Sequence, residues 1–192
     1  MLNAESRLRY PASFGATARD VELEGEGYFE VVHDSARPFR VHAGGSVTED
    51  LGTRFVVRAY PELRHVDVAV AEGLVSLHRD GTSSPSTLSA GQRGRVESDG
   101  SVTVMNDADV ERWLDWTHGG LLLDGVTLGQ AASEIGRRYG VRVDVADSSL
   151  AARRVSARFR DEPLSRVLDG VADALGVHWT RDGDRVMLEE AR

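Results

Sequence analysis

Six histidines, at positions 33, 42, 65, 78, 118 and 178, are the side chains best suited to hold a metal or move a proton at neutral pH. No two of them stand at the spacing of a His-Glu-x-x-His site, and the chain has no cysteine to complete a mixed zinc set. Three carboxylates, Glu22, Glu24 and Glu26, alternate with other residues, so in a strand all three point to one face, which reads as a solvated face rather than a catalytic pair. Gly25-Glu26-Gly27 opens like a dinucleotide fingerprint, but Glu30 stands where the third glycine is needed and no helix follows to receive a pyrophosphate. His118-Gly119-Gly120 has the look of an oxyanion-hole loop. No Gly-x-Ser-x-Gly elbow supplies a nucleophile, so a turn before a strand is expected there. Asp144 and Asp147 could approach calcium, yet no ligand-rich loop surrounds them. The inventory predicts a protein that is not an enzyme and that needs no cofactor and no metal.

One basic cluster remains: Arg153, Arg154, Arg158 and Arg160. Val155, Ala157 and Phe159 alternate with the even-numbered positions, so Arg154, Arg158 and Arg160 are expected to point away from the core. Such a strand is either a solvated edge whose charges discourage aggregation or a docking surface for an acidic partner or a partner strand.

The elements that would position this cluster are legible between Trp116 and Leu188. The pattern is strand, helix, strand, used twice, with a last strand from Arg185 to Glu189 folding back across Asp182-Gly183. Thr127 and Gln130 have capping-box spacing at the start of a helix running to Tyr139. Its apolar stripe is Leu128, Ala131, Ala132, Ile135 and Tyr139, and Gly140 ends it. In the second helix Pro163 suits the first position, Leu164, Val167, Leu168, Val171 and Leu175 form the buried stripe, and Gly176 stops it. Neither stripe can be buried without a sheet packed against it.

Residues 1–107 read as all-β. Strand-like runs at Val21 to Leu23, Tyr28 to Val32, Phe39 to His42, Phe55 to Ala59, Val66 to Val70, Leu74 to His78 and Val102 to Val104 are separated by turn signals such as Glu72-Gly73 and Asp99-Gly100. The alternation from Val66 to Val70 predicts a strand with one wet face. The polar run from Thr82 to Thr87 reads as a hairpin connection. Asn106 to Glu111 reads as a boundary, followed by a helical turn whose Trp113, Leu114 and Trp116 are expected at the junction of two domains. The predicted class is therefore α+β in two domains: an all-β domain over 1–107, solenoid- or sandwich-like, and a small βαβ-βαββ domain over 113–192.

Composition excludes several roles. The net charge is −8. The first 110 residues hold 11 basic against 17 acidic side chains and the remainder 12 against 14, so neither part has the basic excess that a phosphate backbone demands. No stretch approaches the ~20 consecutive apolar residues of a membrane span.

Residues 2–95 resemble the extracytoplasmic domain of FecR-type anti-sigma regulators. The matching segments, in order, are Leu2 to Ser6, Val21 to Val31, Arg37 to Val41, Leu51 to Val57, Val70 to Val75 and Leu88 to Gln92. Residues 116–190 are similar to the small domain that closes many such regulators, related to the short N-terminal (STN) domain of secretins and TonB-dependent receptors. Trp116, Leu121, Leu128, Tyr139-Gly140-Val141, Pro163-Leu164 and Val167-Leu168 carry that likeness. The resemblance implies a periplasmic module of cell-surface signalling, anchored in the inner membrane. It would bind the N-terminal signalling domain of a TonB-dependent outer-membrane receptor and relay its state to a cytoplasmic sigma factor. The family's sigma-binding segment and membrane helix have no counterpart in these residues, so the chain is expected to sense and to transmit through a segment it does not contain. The expected contact residues are Arg154, Arg158 and Arg160, with Trp113 and Trp116. A second reading makes the β-domain a sensor of a small ligand, a glycan or siderophore.

Overall fold

The structure, a computed structural model, describes residues 1–82, 84–107 and 109–191. Ser83 of the polar connection, Ala108 of the expected boundary and Arg192 at the end of the second expected domain lie outside the described residues. The chain divides into two compact units, Met1–Leu114 and Asp115–Arg192, each with its own hydrophobic core.

The first unit is a sheet of ten strands: β1 (Arg7–Arg9), β2 (Arg19–Glu30), β3 (Phe39–Ala43), β4 (Ser46–Asp50), β5 (Arg54–Ala59), β6 (His65–Glu72), β7 (Leu74–Arg79), β8 (Ser86–Ser89), β9 (Gln92–Glu97) and β10 (Val102–Asn106). The order is β10-β9-β6-β5-β2-β3-β4-β7-β8, with β1 beside β2. Two of the predicted runs are one long strand. The first half of β2 pairs in parallel with β3, its second half antiparallel with β5, and the change falls at Gly25, where φ is 95°. That bend lets the sheet fold over itself. Val21, Val41, Val75, Leu77 and Leu88 from one half then meet Phe29, Phe55, Val57, Val68 and Val96 from the other. The closeness of the halves is visible at Gly94 of β9, where a Cβ would lie 2.6 Å from the side chains of both Leu77 and Leu88. β4 and β9 escape a reading of apolar runs because they are mostly polar, and β9 offers Val96 alone to the core.

The expectation of a wet face on β6 is corrected. Val66 through Val70 are all buried, and Asp67 is only 3% exposed. Cross-strand register explains it. Glu26 of β2 lies opposite Arg58 of β5, Arg58 opposite Asp67 of β6, and Asp67 opposite Arg95 of β9, so acid and base alternate across four strands. Arg95 holds Asp67 through Nε and Nη2 at 2.8 and 2.9 Å, and Arg58 Nε lies 3.9 Å from Glu26. Glu26 is likewise buried, which corrects its placement on a solvated face. Asn3 donates to its carboxylate at 2.7 Å, while Glu22 and Glu24 remain exposed beside Arg9 and Arg7.

The second unit contains β11 (Gly120–Thr127), α1 (Leu128–Tyr139), β12 (Arg142–Val145), α2 (Ser148–Ala151), β13 (Arg154–Arg160), α3 (Leu164–Leu175), β14 (Val177–Asp182) and β15 (Arg185–Glu190). The strands are shared between two small sheets: an antiparallel pair, β11-β13, and a triplet, β12-β15-β14. α1 packs on β11 and β12, α3 on β13 and β14, so each helix buries its stripe against both sheets. Leu128, Ala131 and Ile135 of α1 and Val167, Leu168 and Val171 of α3 are inside. The capping box forms as spaced: Gln130 N–H donates to Thr127 Oγ1 and Thr127 N–H to Gln130 Oε1. Gly140 and Gly176 end the helices with φ of 63° and 64°. Pro163 stands one residue earlier than expected, as the N-cap of α3 in extended backbone. Asp147 caps α2, a helix the apolar pattern does not reveal, and Asp144 accepts from Arg142 and Arg185. Both acids have thus found uses inside the fold, and Asp144 is held below the usual carboxylate range by those two guanidinium hydrogen bonds.

Candidate protein-interaction surface

β13 is where the arginine cluster and an unpaired backbone meet. The strand is paired on one side, with β11; among the described residues no strand occupies its other side. Its backbone N–H and C=O groups on that side form the template for another strand. The alternation predicted from the sequence holds. Val155 is buried, Ala157 and Phe159 are half-buried, and Arg154, Ser156, Arg158 and Arg160 are exposed. Phe159 is seated against Gly170 of α3, where a Cβ would come within 2.9 Å of its ring. The apolar side of the strand is therefore locked to a helix, and the charged side is presented.

The four arginines differ in what they already do. Arg158 forms a forked ion pair with Asp115, with Nη2 donating to Oδ1 at 2.9 Å. Arg154 donates to the carbonyl of Gly125, whose own N–H donates to Ser156 Oγ at 2.9 Å. These contacts clamp the irregularity in β11 between Leu123 and Val126. Arg153 pairs with Glu190. The Arg160 side chain has no ion pair or hydrogen bond among the described residues, and of the four guanidinium groups it is the most open to a partner. The exposed pair of Arg153 with Glu190 contributes little to stability, roughly 0–1 kcal/mol.

The two tryptophans separate. Trp113 is 3% exposed: its indole N–H donates to Asp107 at 3.1 Å and the Arg93 guanidinium lies 5.0 Å from its ring centroid. Trp113, expected as a contact residue, is thus a buried side chain held by Asp107 and Arg93. Burial pushes the Asp107 carboxyl up, but hydrogen bonds from Trp113 and Arg112 outweigh this and hold it low. Trp116 is half-buried in the second unit, and its buried indole N–H lacks a hydrogen-bond partner among the described residues.

No group of three metal-ligating side chains comes together among the described residues. The histidines are dispersed: His42 lies 3.0 Å from Asp20, His65 3.1 Å from Asp67, and His118 2.9 Å from Thr117.

Two family models match the chain, FecR protein over residues 1–76 and FecR, C-terminal, over residues 120–188. Together they take in about three quarters of its length. Among solved structures, two crystal structures of a candidate anti-sigma factor from Parabacteroides distasonis, at 1.65 and 2.50 Å resolution, are similar to it. Each superposes with a TM-score of 0.90 at 25% identity and covers 100% of this chain and 89% of the other. No curated protein matches the chain.

Proposed function

Because the chain belongs to the FecR family, with both family segments present in order, we propose that it is the periplasmic signalling part of a FecR-type anti-sigma regulator. In this reading the second unit binds the N-terminal signalling domain of a TonB-dependent outer-membrane receptor. The bound state is relayed to a cytoplasmic sigma factor through a segment outside these residues. The topology of the second unit supports the likeness to an STN domain: strand, helix, strand, repeated, with a closing strand. No helix among the described residues is long and apolar enough to cross a membrane, so the relay needs that other segment.

The observation that carries the proposal is the open edge of β13, lined by arginines, inside the region matched by the C-terminal family model. Backbone pairing along such an edge would supply affinity, and the exposed guanidinium groups would steer and select an acidic surface. Changing Arg154 and Arg160 together to glutamate is expected to weaken binding of the receptor domain at least tenfold, about 1.4 kcal/mol, by isothermal calorimetry. Arg158 is left in place because its ion pair with Asp115 belongs to the fold. Arg64 and Arg166 changed together to glutamate make the same four-unit change in net charge at exposed positions outside β13 and control for it. Equal affinity in the double variant and the wild type removes the arginine edge from the contact.

A further inference from the structure

A cleft in the first unit, unrelated to the β13 edge, has a chemistry of its own. Arg9, Tyr10 and Pro11, at the end of β1 and just beyond it, line it together with Asp20, Val21 and Glu22 of β2 and His42 of β3. The cavity measures about 330 Å³, at the small end of the roughly 300–1,000 Å³ typical of ligand pockets. Tyr10 is 66% exposed, so one face of its ring is open to a ligand in the cleft.

We propose that this cleft binds a neutral saccharide of one or two rings. The choice of class follows from the lining. An anion is disfavoured, since Asp20 and Glu22 both face it. A lipid or other apolar ligand would find only Tyr10 and Pro11 among the exposed side chains. A cation would have to compete with groups already in place: His42 Nε2 lies 3.0 Å from Asp20, and Arg9 Nη1 lies 3.7 Å from Glu22 and 3.0 Å from Glu24. What these pairs leave open is unused hydrogen-bonding capacity. A carboxylate has about four lone-pair sites and a guanidinium five N–H donors, and each pair engages few of them. Donors and acceptors together beside an exposed phenol ring match a polyol, whose hydroxyls do both and whose C–H face packs on an aromatic ring.

The test is an NMR titration of the ¹⁵N-labelled chain with maltose, cellobiose, xylobiose and N,N′-diacetylchitobiose, with spermidine and inorganic phosphate as class controls. Saturable shifts at Tyr10, Asp20, Glu22 and His42 are expected with at least one sugar, at a Kd of about 1 mM or tighter. Tyr10→Ala should weaken that binding at least tenfold, and Tyr10→Phe, which keeps the ring, should stay within about threefold. Both variants sit at an exposed position, and an unchanged unfolding curve verifies their fold. The proposal is overturned if no sugar saturates the cleft by about 10 mM, if the shifts lie elsewhere, if Tyr10→Ala binds as well as the wild type, or if spermidine or phosphate occupies the cleft and the sugars do not.

Discussion

Replacing Asp67 by alanine is expected to destabilise the first unit by about 3 kcal/mol, the lower end of what is found when one member of a buried ion pair is removed. The carboxylate accepts two hydrogen bonds from Arg95 and lies 3.1 Å from His65 Nε2. It also stands opposite Arg58, which is itself buried. Deleting it leaves the guanidinium groups of Arg58 and Arg95 on either side of the vacated position with no carboxylate between them. Urea titration at pH 7, following the transition of the first unit, measures the loss. A change below about 1 kcal/mol would mean the charges are independently solvated.

The same residue gives a pH dependence of defined sign. Burial pushes the Asp67 carboxyl up, but hydrogen bonds from His65 and Arg95, with the attraction of the charged Arg95, more than offset this and bring its pKa to about 2 against 3.8 for a free side chain. A carboxylate with a depressed native pKa binds fewer protons folded than unfolded. Its contribution, about 2 kcal/mol, is fully present above roughly pH 4 and is lost as the pH falls toward 2. Asp67→Asn keeps the shape and lacks the titration, so its stability should fall less steeply across that window. Parallel curves for the two proteins between pH 4 and pH 2 would contradict the assignment.

Gly73→Ala is expected to cost at least as much, for a steric reason. Gly73 sits between β6 and β7 with φ of 82°, and a Cβ there would lie 2.1 Å from the carbonyl oxygen of Gly52 and 2.8 Å from Thr53 Cγ2. Neither neighbour can retreat. Leu51 N–H donates to Leu74 O at 3.1 Å, Val31 N–H to Thr53 O at 3.0 Å, and Thr53 Oγ1 to the buried Asp50. A left-handed conformation costs about 1–2 kcal/mol for an L-residue and overpacking about 1–3 kcal/mol, so a loss of about 3 kcal/mol or more is expected. In a unit of this size that lowers Tm by more than about 10 °C. Gly91→Ala is the control: φ is 79°, but nothing lies within 4 Å of its Cβ position, so it carries the backbone cost alone. If the two variants melt together, the packing of Gly73 on Gly52 is not what the position requires.

Gly73 and Gly52 also show how far a sequence can be read. Each stands in a segment that resembles the FecR family, yet 20 residues of chain hide that one glycine exists to let the other's carbonyl pass. The Asp67 ladder is harder still. Alternation marks which residues share a face of a strand, and it cannot say what covers that face. A polar residue between valines therefore reads as wet until Arg58 and Arg95 are brought beside it. Trp113 misleads in the opposite sense, because a tryptophan near a boundary reads as available until Asp107 and Arg93 enclose it.

The features that the amino-acid sequence determined by itself are those whose cause lies within a few residues. The capping box at Thr127 and Gln130, the glycine stops at Gly140 and Gly176, the helical stripes and the outward arginines of β13 all follow from local hydrogen bonding, backbone sterics and side-chain period. Tertiary structure alone decided which strands became neighbours, that β2 serves both halves of its sheet, that the second unit splits its strands between two sheets, and that Arg158 is committed to Asp115 while Arg160 is open. Register explains the division. A strand's own pattern tells which side each residue takes, but which residue stands opposite depends on a partner many positions away, and the buried charge pairs across β2, β5, β6 and β9 are set there.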